Sequence, residues 1–533
     1  MINTHVMRIK YIVILLLSFT SVYSQTDLNI SLLGKYEYTN TDLNDIWGYD
    51  DNGKEYALVG TYDGLSIVDV TNPANTVEVN FIKTVNSVWK DIKTYKHYAY
   101  VTHGIYSSGQ KAQGLLIIDL NTIGEEKMST WTYKIENIYQ TAHNLFIDEN
   151  GIAYIFGVNE IGGALILDLK DDPTSPEFLS YYQGHYLHDG YVKNNILYGC
   201  ADKNGYFVIV DVADKFNPKD IVTSDTPNRT THNAWLSNDA KTLFTTDERK
   251  SAYITSFDVS DPDNIKQLDM VRSRYSDQSI PHNTVVRGDF LISSYYAQGV
   301  QIVDASNPDN LIEVGRYDTT PDDKAEFNGA WGVYPYLPSG NILVSDTEHG
   351  LFVLKPYYHK ASYLEGIVKE ESTNGTIYNA EIEIETSGNT TFTGYRGKFK
   401  TGIANSGTYQ VVVKKEGYET LKTEVVLEQG EILNKEFVLK RSALSIDDEL
   451  LSEINVYPNP FKDYLQVDYS FKDNLQNTAH LVLTNIRGQE IYRLDINNTQ
   501  GSLLLDKDIE AGVYFVQIFN GTKMSKVVRV VKE

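Results

Sequence analysis

The chain has 533 residues, which is too many for one ordinary core, so two or more domains are expected. It carries 47 Lys and Arg against 71 Asp and Glu, a formal net charge of −24, which argues against nucleic acid and anionic membranes as partners. The single Cys excludes an internal disulfide, so the domains must be stabilised by their cores alone.

Residues 1–24 are predicted to be a secretory signal peptide. Arg8 and Lys10 provide a basic start, residues 11–19 are largely apolar, and the small-residue exit at 22–24 ends the segment. The apolar stretch is too short to span a bilayer. We therefore predict export, and no transmembrane segment in the mature chain.

A repeated pair of segments organises residues 28–357. One segment is a His followed by a polar residue at the start of a strand, and the other is an apolar strand ending in Asp. The pair recurs about every 45 residues, a period typical of repeat architectures. The clearest copies are His143-Asn144 with ALILDL, His188-Asp189 with YFVIVDV, His232-Asn233 with YITSFDV, and His282-Asn283 with VQIVDA.

Seven such units are expected, each with four short strands and no helical periodicity, which predicts the blades of a β-propeller. The last unit lacks a fourth strand, whereas residues 30–38 read like the fourth strand of the sixth unit. Residues 30–38 are therefore predicted to complete the seventh blade and close the ring, which removes exposed strand edges. An open solenoid of similar repeats is the alternative.

The apolar strands that end in Asp, such as LSIVDV (65–70) and LLIIDL (115–120), resemble the LVIVD repeat. Residues 28–357 as a whole resemble the propeller of the choice-of-anchor B family of secreted bacterial proteins. The resemblance implies export and a surface or extracellular location. It implies no agreed biochemical activity.

Residues 362–440 alternate apolar and polar positions between Gly turns, which predicts a small antiparallel β-sandwich. Gly366, Ala380, the stretch 394–399, Tyr409 and the stretch 415–418 follow the pattern of carboxypeptidase regulatory-like domains, which this segment resembles. The resemblance implies an accessory module without catalytic residues.

The polar segment 441–452 is predicted to be a linker, and residues 453–533 a second small sandwich. The stretches 457–461 (YPNPF), 485–488 (NIRG) and 512–514 (GVY) closely resemble the type A C-terminal sorting domain of type IX secretion. The resemblance implies the type IX machinery as a partner and transport across the outer membrane. The predicted fold class is therefore all-β, with a seven-bladed propeller followed by two small β-sandwich domains.

The first residues of the seven inner strands are expected to form one ring around the central channel. Four neighbouring imidazoles there could hold a divalent transition metal such as Zn, Cu, Fe or Ni. The predicted ring consists of Trp47, Trp89, His143, His188, His232, His282 and Trp331, with the four histidines as candidate metal ligands. Acidic residues that could join or orient them are Asp202, Asp247, Glu248, Asp346 and Glu348.

Two other interpretations of the ring remain open. Each His could be a structural peg that hydrogen-bonds the backbone of the next blade, with Asn144, Asp189, Asn233 and Asn283 in similar roles. The ring could also bind a ligand other than a metal, with the indoles stacking on a sugar or another flat molecule, although packed plugs are the commoner use of such residues.

Other chemistry-bearing residues have simpler explanations. Cys200 lies in an apolar run and is expected to be a buried small residue. An Asp ends each of six third strands and is expected to cap the turn that follows. These residues are Asp69, Asp119, Asp168, Asp211, Asp258 and Asp304.

Two functions are compatible with the sequence. The first is a secreted, surface-displayed protein whose propeller binds an extracellular ligand or protein of unknown identity. The second is a metal-dependent hydrolase or lyase with its site on the His side of the channel mouth, because propellers support both classes. A purely structural surface component is a third interpretation.

Overall fold

The computed structural model describes residues 27–104, 113–159, 161–273, 279–320, 327–385, 389–442, 450–472, 475, 478–506, 509–521 and 523–533. The predicted signal peptide and residues 443–449 of the predicted linker lie outside this part. The chain divides into two compact units, Met1–Ala361 and Ser362–Glu533. Within the described ranges no helix is long and apolar enough to cross a membrane.

The first unit is built from strands, with short 3₁₀ turns at Pro73–Asn75, Leu120–Thr122 and Pro262–Asn264. Its strands are β1 (Ile30–Tyr36), β2 (Leu43–Asp51), β3 (Lys54–Thr61), β4 (Gly64–Asp69), β5 (Val77–Lys83), β6 (Ile92–Tyr95), β7 (Tyr98–Val101), β8 (Leu115–Asp119), β9 (Thr130–Tyr133), β10 (Asn144–Ile147), β11 (Ile152–Phe156), β12 (Ala164–Asp168), β13 (Glu177–Tyr182), β14 (Asp189–Lys193), β15 (Ile196–Ala201), β16 (Tyr206–Asp211), β17 (Lys219–Asp225), β18 (Thr231–Leu236), β19 (Thr242–Asp247), β20 (Ile254–Asp258), β21 (Lys266–Val271), β22 (Thr284–Arg287), β23 (Phe290–Ser294), β24 (Val300–Asp304), β25 (Ile312–Tyr317), β26 (Ala330–Tyr334), β27 (Ile342–Asp346) and β28 (Gly350–Pro356).

These strands form seven four-stranded antiparallel sheets. Blades 1 to 6 are β2–β5, β6–β9, β10–β13, β14–β17, β18–β21 and β22–β25, and blade 7 is β26–β28 with β1. The first strands of the sheets contact one another in a closed cycle, from β2 through β6, β10, β14, β18, β22 and β26 back to β2. Sheets arranged around a common axis in this way make a β-propeller, as the repeats predict.

The ring is closed by pairing the N-terminal strand with the last repeat. β1 lies antiparallel to β28, with Ile30 opposite Pro356 and Tyr36 opposite Leu351. A bulge in β1 ends at Gly34, where an added Cβ would lie 1.6 Å from the carbonyl oxygen of Pro73. Only glycine fits this close approach, so the closing strand is tied to the 3₁₀ turn of blade 1 as well as to blade 7.

The third strand of each blade is apolar because it is covered on both faces by neighbouring sheets. Leu65 and Ile67 of blade 1 are fully buried in a cluster shared with Ile92 and Val101 of blade 2. Each predicted Asp cap is confirmed: the carboxylate accepts a hydrogen bond of 2.8–3.0 Å from the backbone N–H two residues later. Polar turns therefore end the buried strands at the same point in each repeat.

The second unit begins with a sandwich of two sheets in the orders β32-β29-β35 and β31-β30-β33-β34. Its strands are β29 (Ser362–Glu370), β30 (Glu381–Ile384), β31 (Asn389–Phe392), β32 (Lys398–Ile403), β33 (Gly407–Lys414), β34 (Leu421–Leu427) and β35 (Ile432–Leu439). One pair departs from the antiparallel prediction, because β35 returns from the other sheet and runs parallel to β29. Phe399 and Phe437 are buried in the core between the sheets.

The last part of the second unit is another sandwich, with sheets in the orders β36-β37-β40 and β39-β38-β41-β42 and with β43 paired to β41. Its strands are β36 (Leu451–Tyr457), β37 (Leu465–Phe471), β38 (Ala479–Asn485), β39 (Glu490–Ile496), β40 (Gln500–Leu505), β41 (Gly512–Asn520), β42 (Lys523–Met524) and β43 (Val528–Lys532). Val467, Leu481 and Val516 are fully buried between the two sheets.

Lys90 is a fully buried side chain that fixes the junction of blades 1 and 2, and burial lowers its pKa to about 7. Its Nζ donates to the carbonyl oxygens of Thr61 at 2.8 Å, Tyr62 at 2.8 Å and Ser87 at 3.1 Å. An ammonium group has three donors, so every one of them is satisfied by the backbone.

Replacing this side chain is expected to destabilise the propeller. Lys90→Met leaves the carbonyl acceptors without a donor and should lower the free energy of unfolding by about 3 kcal/mol. Urea unfolding followed by Trp fluorescence measures the effect on the propeller alone, because all five Trp residues lie in the first unit. Lys83→Met, at an exposed position of β5, is the matched control and should change little. Equal losses in the two variants would contradict the assigned role.

Candidate functional site

The first strands of the blades place one equivalent residue each at one end of the channel. In four blades its backbone carbonyl accepts a hydrogen bond from a side-chain hydroxyl on the preceding blade, as Thr246 Oγ1 donates to His282 O at 2.6 Å. By strand register the equivalent residues, which form the histidine tier, are Asn44, Lys90, His143, His188, His232, His282 and Trp331.

Trp47 lies outside the histidine tier, so the predicted ring is wrong at this residue. Ser345 Oγ donates to the carbonyl oxygen of Asn44 at 2.5 Å, which identifies Asn44 as the tier residue of blade 1. β2 begins earlier than expected and contains a bulge, so Trp47 follows farther along the channel. Its indole ring lies 4.8 Å from the ring of Tyr334.

The other six predicted ring residues lie side by side. Trp89 precedes the tier residue of blade 2, which is Lys90, but its indole still reaches the first imidazole. The distances between ring centroids are 5.2 Å for Trp89–His143, 3.7 Å for His143–His188, 4.5 Å for His188–His232, 4.3 Å for His232–His282 and 4.7 Å for His282–Trp331. Blades 3 to 6 therefore present a continuous row of imidazoles flanked by two indoles.

Glu248 joins two of these histidines. Its carboxylate oxygens lie 3.9 Å from His232 Nε2 and 3.9 Å from His282 Nε2. One potential ligand atom from each of the three residues falls within 4.8 Å of the others. His282 Nδ1 lies 2.5 Å from the carbonyl oxygen of Trp331. A hydrogen bond there fixes the tautomer and leaves Nε2 with a lone pair directed at the cluster.

The contact between His282 and Trp331 is also an inter-blade bond, so the structural-peg interpretation holds for this histidine. It does not account for Nε2, the second ring nitrogen, which faces Glu248. The two ring nitrogens of His188 have different neighbours. Nδ1 lies 3.5 Å from Asp202 Oδ2, and Nε2 is buried with no hydrogen-bond partner among the described residues.

Asp202, Glu248 and Tyr296 occupy equivalent positions just after the second strands of blades 4, 5 and 6. The sequence singled out the two acids but missed Tyr296, whose hydroxyl donates to Glu248 Oε1 at 2.5 Å. Aligning the second strands of the repeats would have found it. Of the other proposed acids, Asp247 accepts from Thr226 Oγ1 and Asp346 from Thr320 Oγ1, so neither carboxylate joins the histidines.

The imidazoles of the tier are held in the neutral form. Burial lowers the pKa of His282 to about 4, and it lowers the pKa of His143, His188 and His232 well below the usual range, with neighbouring imidazoles adding to the effect. Burial raises the pKa of Glu248 to about 7, although the hydrogen bond from Tyr296 opposes this shift. Neutral nitrogen lone pairs are the form that binds metal ions.

The next residue of each first strand forms a second layer, the acid–amide tier. Its side chains are Asp45, Asp91, Asn144, Asp189, Asn233 and Asn283, with Gly332 in blade 7. They line a narrow central cavity whose volume open to water-sized spheres is about 30 Å³. The peg role predicted for the polar residue after each His is found at Asn233, whose Oδ1 accepts from the backbone N–H of Thr284 at 3.0 Å.

A third layer, the aromatic tier, follows two residues farther along the same strands. Tyr191 lies 4.8 Å from both Phe146 and Trp235, measured between ring centroids. Lys93 occupies this level in blade 2, with Nζ 4.3 Å from the ring of Trp47. The channel is therefore lined by imidazole, then carboxylate and amide, then aromatic side chains.

Cys200 is fully buried, as predicted, and burial raises the pKa of its thiol well above the usual value. It faces Asp189 across the strand pair, the position that Thr246 and Ser294 hold in the next two blades. The residue is thus a small side chain at a blade junction, without the thiolate that a nucleophile needs.

Comparisons with known proteins identify the domains. Residues 455–533 match the family model described as secretion system C-terminal sorting domain. Residues 364–450 match the CarboxypepD_reg-like domain, and residues 53–84, 191–226 and 283–319 match the LVIVD repeat. The chain carries a type IX sorting domain. It is therefore a secreted protein of the cell surface or outer membrane, with the type IX machinery as a partner.

Two further comparisons add no activity. A search of curated proteins finds no match. Similar solved structures include the β-propeller domain of Cps50 (Swd1) from Myceliophteria thermophila, at 10% identity and TM-score 0.44, covering 62% of this chain and 100% of that chain. They also include the computationally designed Ika8 protein, at 9% identity and TM-score 0.42, with 62% and 100% covered.

The buried imidazoles predict a pH-dependent stability. The pKa of His282 is lower in the folded protein, about 4, than the ordinary 6.5 of an unfolded chain. Between pH 6.5 and about 4 the imidazole is protonated in the unfolded state but neutral in the folded state. The stability that the neutral imidazole contributes at higher pH is therefore lost as pH falls towards 4. The loss from this group is about 1.4 kcal/mol per pH unit.

His282→Gln is expected to make the free energy of unfolding less steep in pH over that interval. Urea unfolding at a series of pH values, followed by Trp fluorescence, measures the slope. His97→Gln, at a side chain that is 39% exposed, is the control and should keep the wild-type slope. Identical slopes in all three proteins would contradict the assignment.

Proposed function

We propose that this secreted propeller is a binding protein whose channel mouth holds a divalent transition metal between His232, Glu248 and His282, and presents it to an extracellular ligand. The observation that carries the proposal is the convergence of three ligand atoms within 4.8 Å. Both imidazoles are buried and neutral, whereas the carboxylate is partly open to solvent, with 24% of its side chain exposed. An ion therefore has an entry path at Glu248.

The donor set favours a zinc-like ion. Imidazole nitrogen and carboxylate oxygen together suit borderline metals, whereas harder cations prefer oxygen alone. Ligand atoms around tetrahedral zinc lie about 3.3 Å apart, given metal–ligand distances near 2.0 Å. The two nitrogen–oxygen distances of 3.9 Å run to different oxygens of Glu248, and one atom from each residue lies within 4.8 Å of the others, so the three side chains must draw together to reach that value.

The surroundings of the three ligands support a binding role. Trp89, with 36% of its surface exposed, and Trp331 flank the imidazole row. Three protein ligands leave a fourth coordination position for an outside group. A ligand that reaches the metal would thus meet an aromatic surface beside it, which suits a flat or sugar-like molecule with one metal-binding group.

Metal binding is tested on the purified full chain. Titration with Zn²⁺ followed by calorimetry should give one site per chain, and His232→Ala and His282→Ala should each weaken it at least about a hundredfold. His185→Ala is the matched control, because His185 also has an acidic neighbour, at 3.3 Å, but lies away from the channel. Loss of affinity in the control alone, or no zinc uptake by the wild type, would refute the proposal.

The pH dependence of the same titration is a second readout. Because the pKa of Glu248 is raised to about 7, zinc must displace its proton at lower pH. The affinity is expected to fall about tenfold per pH unit below 7, down to the pKa of the next group. A flat profile would exclude Glu248 from the ligand set.

A metal-dependent hydrolase is the second candidate function, and one contact favours it. The Tyr296 hydroxyl donates a 2.5 Å hydrogen bond to Glu248. This bond tunes the pKa of a carboxylate that would lie beside the open coordination position of the metal. In the zinc-loaded chain, hydrolysis of ester and phosphodiester substrates should depend on zinc. Tyr296→Phe should shift the acid limb of the pH–rate profile to higher pH, because this hydrogen bond lowers the pKa of Glu248.

The enzyme candidate fails if no zinc-dependent turnover is seen with any substrate of the panel while zinc binds with one site per chain. It also fails if Tyr296→Phe lowers the rate equally at every pH, since a structural contact would do the same. The binding function would stand in either case.

A further inference from the structure

The acid–amide tier contains a carboxylate that the protein itself does not satisfy. Asp91 is 4% exposed and lines the central cavity, and its carboxylate accepts no hydrogen bond from any described residue. Asn283 lines the same cavity, and its buried Oδ1 has no hydrogen-bond partner either. Oxygen acceptors buried without a donor are costly, so each such atom indicates a missing partner.

The rest of the tier is anchored but still offers oxygen. Asp45 Oδ2 accepts from the backbone N–H of Ile92 at 3.2 Å, and Asp189 Oδ2 accepts from Asn233 Nδ2 at 2.7 Å. Each of these carboxylates keeps further lone pairs, because an ionised carboxylate has about four acceptor positions. The anchoring hydrogen bonds hold the oxygens around the cavity rather than closing it.

Charge in the tier is unbalanced. Three carboxylates, from Asp45, Asp91 and Asp189, share the cavity, and the one cation lining it is Lys93, whose Nζ lies 3.5 Å from Asp45 Oδ2. Burial raises the pKa of Asp91 well above its usual range, and the carboxylate of Asp45 adds to this effect. Burial likewise raises the pKa of Asp189 to about 6. The tier is thus short of positive charge.

We propose that the acid–amide tier is a second, independent metal site that binds one Ca²⁺ on the propeller axis through Asp91, Asp45, Asp189 and the amide oxygen of Asn283. The four proposed ligand groups all offer oxygen atoms, which is the donor set that Ca²⁺ takes, with six to eight ligands in flexible geometry. The cavity, about 30 Å³ for water-sized spheres, has room for an ion with water completing its shell.

The seventh blade shows how closely the tier is packed. A Cβ at Gly332 would lie 2.8 Å from Asp45 Oδ1, so glycine leaves that oxygen uncovered. The remaining six blades provide the oxygen-bearing side chains. Bound there, the ion would cross-link the first strands of blades 1, 2, 4 and 6 and would stabilise the closed ring without taking part in chemistry at the histidine tier.

Terbium luminescence tests the site on the purified full chain, because Tb³⁺ replaces Ca²⁺ and its emission is sensitised by nearby indoles. Trp47 and Trp235 line the same cavity, so excitation of Trp should give saturable emission that Ca²⁺ displaces. Asp91→Asn keeps the shape but removes the charge, and it should weaken Ca²⁺ binding at least about tenfold. Asp263→Asn, at an exposed turn, is the control.

A thermal-unfolding series gives a second readout that does not depend on terbium. Ca²⁺ should raise the melting temperature of the wild type, of Asp263→Asn and of His232→Ala, but not that of Asp91→Asn or Asp45→Asn. The His232→Ala arm separates this site from the zinc site. Lys93→Gln should bind Ca²⁺ more tightly than the wild type, because it removes the competing ammonium.

Three outcomes would overturn the proposal. The first is Tb³⁺ emission of equal strength in the wild type and in Asp91→Asn, which would mean binding to surface acids. The second is a melting temperature that does not respond to Ca²⁺ in the wild type, with Asp91→Asn more stable than the wild type, which would mean a protonated carboxyl in an ion-free cavity. The third is a response to Mg²⁺ but not to Ca²⁺.

Discussion

The structure depends on one recurring hydrogen bond between neighbouring blades. A hydroxyl on the second strand of one blade donates to the tier carbonyl of the next, as in Thr102 to His143 at 3.1 Å and Ser294 to Trp331 at 2.7 Å. At the junction of blades 1 and 2, glycine replaces the hydroxyl-bearing residue and the backbones approach directly: a Cβ at Gly60 would lie 2.9 Å from the carbonyl oxygen of Lys90. This contact sets the spacing of the first strands, and hence the positions of all side chains in the channel.

Because the contact involves the backbone, the tier side chains are left free to vary. His, Trp, Asn and Lys all occupy the position without disturbing the ring. The cost is that these polar side chains are buried, and each needs a partner of its own. Lys90 donates hydrogen bonds to three carbonyl oxygens, and His282 is hydrogen-bonded to the carbonyl oxygen of Trp331. Glu248 is shared between two imidazoles, which is why the proposed zinc site lies on blades 5 and 6.

Much of the architecture follows from sequence patterns that have one physical cause each. A buried strand between two sheets must be apolar, and its end must be capped, so Asp211 and its equivalents mark the repeats unambiguously. The last unit lacks a fourth strand, which would leave a strand edge unpaired. The extra strand predicted at 30–38 can pair with that edge. The parallel pairing of β29 with β35 was not predictable in this way, because alternation gives the face of a strand but not its direction.

The site was harder to predict, because a bulge moves side chains between levels of the channel. His143 and His188 could be placed at equivalent positions from the sequence, because the residue after each repeats as Asn or Asp. In blade 1 the bulge of β2 places Asn44, rather than the predicted Trp47, at the tier position. In blade 2 the tier residue is Lys90, which does not follow the His pattern of the other repeats. Tyr296 was missed for a related reason, since its equivalents Asp202 and Glu248 are acids.

The proposed sites depend on sequence differences between the blades. Seven identical imidazoles would surround the axis at equal distances, so no adjacent pair would differ from any other. Here only blades 3 to 6 carry His, and only blades 4 and 5 carry an acid beside it. In the next layer the carboxylates come from blades 1, 2 and 4, and blade 7 contributes no side chain. On the first strands, imidazoles are therefore separated from carboxylates and amides by a shift of one residue, and the two proposed sites would differ in the hardness of the ion they prefer.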